Sequence, residues 1–333
     1  MLTQNVKERR ETSLLRREVL SLDAGNRTTQ YINGDGEAVT VPSVIKTFED
    51  WEDLPNGSDE SPVIQIQNED FQITESFVIG EEARIQKGKP AYAYDKIKMA
   101  KYLVYAALEP FPEKTVIAVD RLLIALPDSR NADYSAVLRE LEGTHNFIRN
   151  SQRLVASIRK VELIDETKGA YAYAIFHELF QRPKDKINGI LDLGGGTVIG
   201  RLYSPSGQPL RSYDLIEKKG TFALANKIAS AIQRQLTERL EPSQIMDAIA
   251  NSSYTTDSGV NFAQVFDKCR ESWVEDIRAS VRVAWAEQFK EIGEVLLVGG
   301  SAPLAKSIQE FTKNRFRMVS NYQTISIEGM QLL

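Results

Sequence analysis

The sequence predicts an α/β protein built as two similar halves, and three observations lead there. The chain has 333 residues, about twice the ~150 residues of a common domain. Along it, short β-branched runs alternate with stretches whose apolar residues recur at helical spacing. One pattern, L-D-x-G-x-x-T, occurs as Leu22-Asp23-Ala24-Gly25-Asn26-Arg27-Thr28 and again, 169 residues later, as Leu191-Asp192-Leu193-Gly194-Gly195-Gly196-Thr197. Each copy follows a predicted strand and precedes a second strand that folds back, so the copies share a structural context as well as letters.

Taken in order, residues 1–18 are polar and charged, with Leu2, Val6, Leu14 and Leu15 as their larger apolar side chains, and predict a flexible arm. Val19–Leu22 predicts the first strand and residues 28–33 the second. Asn33-Gly34-Asp35-Gly36 signals a hairpin into a third strand, Ala38–Val41, which Pro42 stops. Residues 49–62 hold six acidic and no basic residues among Pro55, Asn56, Gly57 and Pro62, a solvated loop. Strands follow near 63–67 and 71–79, then a helix over 95–108. Val116–Val119 and Leu122–Leu126 read as strand material ending at Pro127, followed by a helix over 133–141 with Asp133 as its cap. Phe147–Ile164 reads as a hairpin turning at Asn150-Ser151, and a helix covers 168–180.

Pro183 separates this half from the next. Ile187–Leu193 and Val198–Tyr203 are strands on either side of the glycine turn, and Leu210–Ile216 returns after Pro205-Ser206-Gly207. Helices are expected over 220–240, 242–250 and 262–291. In the last, Phe266, Cys269, Trp273, Ile277, Val281 and Trp285 make one apolar stripe, which assigns Cys269 to the core rather than to chemistry. Val295–Val298 is read as the last strand, with a helix over 303–314.

Composition excludes several classes of function. With 41 basic against 46 acidic residues, the net charge of −5 gives no basic face for wrapping DNA directly. One cysteine permits no internal disulfide or Cys-cluster metal site, and the two histidines, His145 and His177, have no zinc-protease spacing. No apolar run reaches the roughly 18–20 residues of a membrane span, and no apolar segment follows the N-terminal basic residues, so the expected location is the cytoplasm.

The repeated turn has a specific chemical logic. Glycine between two strands lets backbone N–H groups approach a phosphate, and small hydroxyl residues add donors. An aspartate at the start of such a turn would repel phosphate unless a divalent cation lay between them. Mg²⁺ keeps most of its waters and is anchored by one or two carboxylates, so Asp23 and Asp192 are the candidate metal-holding residues. Two such turns, one per half, would grip a nucleoside triphosphate. A dinucleotide site is disfavoured, because Gly194, Gly196 and Gly200 lead into the β-branched Thr197–Tyr203 and not into a helix. No P-loop motif is present.

These residues resemble the actin and sugar-kinase ATPase superfamily, and most closely the ParM-like bacterial actins. Asp23–Gln30 resembles the first phosphate loop, Asp192–Thr197 the second, and Leu296-Leu297-Val298-Gly299-Gly300-Ser301-Ala302 the adenosine motif. Val41-Pro42-Ser43, Val78–Ala83, Asp95-Lys96, Leu126-Pro127 and Asp165–Ala170 recur in similar order in such proteins. The resemblance implies an actin-like ATPase fold over residues 19–330. Its two duplicated domains would have mixed five-stranded sheets flanked by helices, with a nucleotide cleft between them. Domain I would take 19–185 plus 320–333, with a small subdomain inserted at about 40–95, and domain II 186–319.

Residue by residue, the resemblance implies that Glu166 positions the attacking water; as the first acidic residue of a helix, it could equally serve the helix dipole. Gly25, Asn26, Thr28, Gly194, Gly195, Gly196 and Thr197 match phosphate-cradling positions, and Gly299, Gly300 and Ser301 the adenine–ribose contact. Gln30 stands where such proteins often carry lysine, which removes a charge that Arg27 partly replaces. The chain stops at Leu333, where the resemblance implies a further terminal helix, so that element is expected to be missing or supplied differently. The implied cofactors are ATP or ADP with Mg²⁺. The implied function is a cytoskeletal ATPase that forms head-to-tail filaments and acts in DNA segregation through a DNA-binding adaptor protein, or in cell shape. The alternatives are a sugar-type kinase of the same superfamily and a nucleotide-binding regulator with little hydrolysis.

Overall fold

The computed structural model describes residues 14–91, 96–111, 114–181, 185–233 and 240–333. The arm expected over 1–13, together with Asp95, Pro183 and residues 234–239 of the helix expected over 220–240, lies outside the described residues. Two compact units make up the chain: Met1–Gly169 with Met330–Leu333, and Ala170–Gly329.

In the first unit, β1 (Leu14–Ala24) and β2 (Thr28–Ile32) form an antiparallel hairpin around the first glycine turn, and β3 (Ala38–Pro42) pairs with β2. β1 begins at Leu14, not Val19, so residues 14–18 of the expected arm are strand. Leu14–Arg17 pair with Val116–Val119, Arg16 meets Asp120 at 2.9 Å, and Arg17 Nη1 donates to the Ile32 carbonyl at 3.1 Å. Arginines that read as a solvated tail are held by carboxylate and carbonyl along a paired backbone. At the hairpin between β2 and β3, Asn33 Oδ1 accepts from the N–H groups of Asp35 (3.0 Å) and Glu37 (2.8 Å).

The chain continues through β4 (Val44–Phe48), β5 (Val63–Gln67), β6 (Ile73–Ile79), the short helix α1 (Glu81–Ile85), β7 (Lys89–Pro90) and α2 (Lys96–Ala107). β4 and α1 are additions to the sequence reading, which stops its third strand at Pro42. β8 (Val116–Leu126) takes both runs expected as strand material, and Asp120-Arg121 between them, into one strand. The interruption, Asp120-Arg121, is neutralised in place: Asp120 lies between Arg16 (2.9 Å) and Arg159 (3.7 Å), and Arg121 is bidentate on Glu162 at 2.9 and 3.0 Å.

α3 (Ala132–Arg139) is capped by Asn131, whose Oδ1 accepts from Asp133 N and Tyr134 N; the expected cap, Asp133, sits inside the first turn. β9 (Gly143–Arg149) and β10 (Gln152–Ile158) form the hairpin at Asn150-Ser151, with φ of +48° and +68°. Both central residues have the positive φ of a two-residue type I′ turn. β11 (Val161–Asp165) leaves that hairpin and pairs with β8, so the expected Phe147–Ile164 hairpin is a hairpin plus a separate strand. α4 (Glu166–Phe176) follows directly, and the unit boundary falls within it rather than at 185/186. The reason is burial: Ala170 and Ala174 pack with Ile190, Tyr203, Leu296 and Val298 of the second unit.

The second unit contains β12 (Ile187–Leu193), β13 (Val198–Tyr203), β14 (Leu215–Glu217), α5 (Thr221–Ile232), α6 (Pro242–Ala250), α7 (Ala263–Ala284), β15 (Ile292–Val298), α8 (Ser307–Phe311), β16 (Phe316–Met318) and α9 (Ile325–Met330). α7 ends at Ala284 and not near 291. Trp285 leaves the helix fully buried, its indole N–H on the Tyr213 carbonyl at 2.8 Å. The helix expected over 303–314 is a 3-10 turn, Ala302–Ala305, followed by α8. β16 and the terminal α9 are present where the sequence reading expected neither, and only Met330–Leu333 of the expected 320–333 tail belong to the first unit.

The duplication is visible in strand order. The first unit contains the run β3-β2-β1-β8-β11 and the second β14-β13-β12-β15-β16. In both, the first two pairings are antiparallel and the last two parallel. The second sheet has the expected five strands; the first has eleven. β8 is long enough to pair with β10 at Val116–Val119 and with β11 at Leu122–Leu126. Through β10 the sheet continues into β9, β5, β6, β4 and β7, so the expected insertion at 40–95 also takes in the β9–β10 hairpin.

In the second sheet, Leu191, Leu193, Val295 and Leu297 face one apolar layer, while Ile190, Leu296 and Val298 face the other. That period of two, with both faces covered, is why Val295–Val298 of β15 reads as one unbroken apolar run. Among the described residues no helix is long and apolar enough to cross a membrane.

Candidate functional site

The two glycine turns sit at equivalent places, after β1 and after β12, at the sheet edge where the parallel neighbours of each strand also end. Ligands of α/β sheets bind at such carboxyl ends. Locally the turns are built alike. A Cβ on Gly25 would stand 2.5 Å from the Thr28 carbonyl oxygen, and one on Gly194 3.2 Å from that of Thr197. The glycine and threonine of L-D-x-G-x-x-T are therefore a matched pair within each turn.

In the first turn, the fully buried Ser43 is the clamp. Its Oγ donates to the Gly25 carbonyl at 2.7 Å, its N–H donates to the Arg27 carbonyl at 2.9 Å, and Thr29 Oγ1 lies 2.8 Å from Ser43 Oγ. In the second turn, α5 does the same work. Gly220 N donates to Gly196 O, Thr221 N to Gly194 O and Phe222 N to Gly195 O, at 3.2, 3.2 and 2.8 Å. A Cβ on Gly220 would lie 2.5 Å from Gly194 O, so this contact requires glycine as well.

These bonds orient the loops. In a trans peptide the C=O and the following N–H point in opposite directions, and no described peptide is cis. With the carbonyls of Gly194, Gly195 and Gly196 turned into α5, the N–H groups of Gly195, Gly196 and Thr197 point away from it. Likewise, with the Gly25 and Arg27 carbonyls turned onto Ser43, the N–H groups of Asn26 and Thr28 point away from Ser43. Successive outward N–H groups form an anion-binding concavity.

Asp23 lies opposite Gln30 in the β1–β2 pair. Gln30 is buried and its Nε2 donates to Thr40 Oγ1 at 3.3 Å. Asp192, on β12, faces the adenosine-like segment: a Cβ on Gly299 would lie 2.3 Å from Asp192 Oδ1, and Gly299 has φ of +88°. Gly299 N donates to the Tyr322 carbonyl at 2.6 Å. Ser301 is buried; its N–H bonds Leu193 O at 2.9 Å, its Oγ bonds Gly194 O at 3.2 Å and also meets Thr221 Oγ1. The structure thus places Ser301 as a brace of the second loop. By contrast, a Cβ on Gly300 would meet nothing within 4 Å.

Glu166 is buried and is the first residue of α4, immediately after β11, which ends beside Leu126 of β8. Its neighbour Asp165 accepts from Ser129 N at 3.0 Å, fixing the loop after β8 to this strand end. Among the described residues no group of three or more His, Cys, Asp or Glu is placed to hold a metal. Cys269 is half-buried and packs against the core of the second unit, and burial pushes its thiol up, the wrong direction for a nucleophile.

The roles of Ser43, Gly220 and Thr221 were not read from the sequence. Ser43 stood in a stretch carrying the resemblance, but nothing local to Val41-Pro42-Ser43 says which carbonyls it binds. A Gly-Thr pair opening a helix was the available signal for the other two.

Two sheets of matching topology with a glycine–threonine turn at the same place in each define an actin-like fold. Residues 21–169 match the family model described as the N-terminal domain of actin like proteins. The chain accordingly has an actin-like fold, that of ParM and other actin homologues. It is similar to the apo psk41 ParM protein (17% identity, TM-score 0.65, 95% of each chain covered). It is also similar to ParM from a 15-stranded filament of Clostridium botulinum (16% identity, TM-score 0.74, 96% of this chain and 99% of that one). An archaeal actin homolog, Ta0583, in complex with ADP matches at 13% identity and a TM-score of 0.73, over 94% of this chain and 97% of that one. No curated protein matches the sequence.

Proposed function

We propose that this chain is a cytoplasmic, filament-forming cytoskeletal ATPase that assembles head-to-tail with ATP and disassembles on hydrolysis. The observation that carries the reading is the pair of turns whose carbonyls are tied inward, onto Ser43 in one and α5 in the other, with N–H groups turned outward. The outward N–H groups of Asn26, Thr28, Gly195, Gly196 and Thr197 would bind phosphate oxygens. Asp23 and Asp192 would hold Mg²⁺, which supplies charge neutralisation at the phosphates when bound. Glu166, fixed at the end of β11, would orient the attacking water. Gly299 and Gly300 would lie against the nucleoside. The ParM filament and the ADP-bound homolog among the structural relatives support both halves of the reading. A role in DNA segregation would run through a basic DNA-binding adaptor, since the net charge of −5 disfavours direct wrapping.

One observation favours a second reading. Gln30 brings no charge and donates to Thr40 Oγ1, which fits a nucleotide-binding regulator with slow turnover. Pelleting and phosphate release with ATP–Mg²⁺ separate the two. The expected result is a pellet and steady phosphate release for the wild type, and a pellet without phosphate release for Glu166→Ala. Nucleotide binding by a chain that stays in the supernatant at high concentration would replace the filament reading with the regulator.

A further inference from the structure

One buried indole is tied to the second turn through a single peptide. Trp273 of α7 is 1% exposed, and its indole N–H donates to the Lys219 carbonyl at 2.7 Å. Buried indoles ordinarily find an acceptor, but this acceptor stands at the clamp of the second turn. The Lys219 carbonyl and the Gly220 N–H belong to one trans peptide, so they point in opposite directions. The Gly220 N–H donates to the Gly196 carbonyl at 3.2 Å. That carbonyl in turn shares a peptide with the Thr197 N–H, which points outward. The indole, the Lys219–Gly220 peptide and the Gly196–Thr197 peptide therefore form one chain of hydrogen bonds, and each link polarises the next. The chain ends in a donor of the proposed phosphate turn.

The side chain of Lys219 is held by the same helix. Its Nζ donates to Ser280 Oγ at 2.6 Å and lies 3.3 Å from Glu217. Trp273 and Ser280 stand seven residues apart, on one face of α7. Together they hold the carbonyl and the ammonium of one residue. Farther along α5, Lys227 Nζ donates to Ser272 Oγ at 3.1 Å and meets Asp276 at 2.9 Å. The helix whose first N–H groups tie down the turn is thus itself seated on α7.

We infer that Trp273 is a positioning residue for the second phosphate turn: it fixes the Lys219–Gly220 peptide and, through it, the direction of the Thr197 N–H. The inference rests on the reading of that turn as a phosphate loop. Without the indole donor the Lys219–Gly220 peptide can rotate, and the Gly196 carbonyl loses its fixed partner. The Thr197 N–H would then have to be ordered when the nucleotide binds, and that ordering is subtracted from affinity. A matched control lies just past the end of α7. Trp285 is fully buried and its indole N–H donates to the Tyr213 carbonyl at 2.8 Å, a bond of the same kind and length. Tyr213, however, hydrogen-bonds Leu210, Glu287 and Gln288, which are residues of neither turn.

The test compares full-length Trp273→Phe and Trp285→Phe by urea titration and by the fluorescence anisotropy of mant-labelled ATP with Mg²⁺. Both variants lose a buried indole and its hydrogen bond, so both should have a lower urea midpoint than the wild type. Binding of the labelled ATP should weaken about fivefold or more in Trp273→Phe alone. In a third protein Trp273 is replaced by 3-benzothienylalanine, which keeps the fused ring and puts sulfur in place of the N–H. It should bind the labelled ATP as weakly as Trp273→Phe while losing less stability, and it carries the test should Trp273→Phe not fold. Wild-type affinity in both proteins altered at 273, or an equal loss of affinity on altering 273 and 285, overturns the positioning role and leaves the phosphate-turn reading intact. Wild type that does not bind the labelled ATP overturns the reading of the turn, and the positioning role with it.

Discussion

Gly299 has to be glycine on two counts: φ of +88°, and 2.3 Å between the site of a Cβ and Asp192 Oδ1. Gly299→Ala should therefore displace the carboxylate proposed to hold the cation and strain the backbone, costing about 1–3 kcal/mol or more in a urea titration. Gly300 is the contrast, since a Cβ there meets nothing within 4 Å. Gly300→Ala should leave the urea midpoint in place and weaken binding of a fluorescent ATP analogue. Unchanged ATP binding in Gly300→Ala would remove the nucleoside from this segment. A second residue-scale case is Glu162, whose carboxyl is held down at about 2 by hydrogen bonds from Arg121 and then Lys160, against an ordinary 4.5. A depressed carboxylate contributes stability that is fully present above its unfolded value and lost as pH falls through the folded one. The gap between wild type and Glu162→Gln, under about 1 kcal/mol for a partly exposed pair, should be open at pH 6 and narrow between pH 4.5 and 2. A gap that widened on acidification would contradict the assignment.

Among elements, the turns depend on supports that lie far off in sequence. Ser43 holds two carbonyls of the first turn and is fully buried. Ser43→Ala should cost about 1–2 kcal/mol and also loosen ATP binding, because Gly25 O loses its donor and the Asn26 N–H loses its fixed direction. Lost stability with wild-type nucleotide affinity would mean that the first turn is not a phosphate loop. This division also marks what the sequence could show. The turns themselves were legible, because glycine, aspartate and threonine at fixed spacing encode a local backbone path. So were the hairpins at Asn33, whose side-chain amide acts within a few residues, and at Asn150-Ser151, whose positive φ is a local property of the turn. Interactions over long separations were not legible: Arg16 with Asp120, Arg121 with Glu162, and Ser43 with the first turn. Those pairings are what make residues 14–18 strand and β8 continuous, and charge alone reads there as solvent exposure. β4, α1, β16 and α9 were missed for a related reason, since short elements are fixed by what they pack against rather than by their own periodicity.

At the scale of the whole molecule, one supersecondary plan is used twice. Each unit has a hairpin around a glycine–threonine turn, a third antiparallel strand, and two parallel strands that end beside the turn. Length alone predicts two domains, whereas the matching strand order makes them related ones. The first unit then adds six strands through β10. The central claim is nucleotide-dependent polymerisation of a protein with an actin-like fold, and negative-stain microscopy of the full chain with and without ATP–Mg²⁺ meets it most directly. Filaments with ATP–Mg²⁺ and none without are the expected result, whereas dispersed monomers in both samples, at a concentration where ATP is shown to be bound, would contradict it.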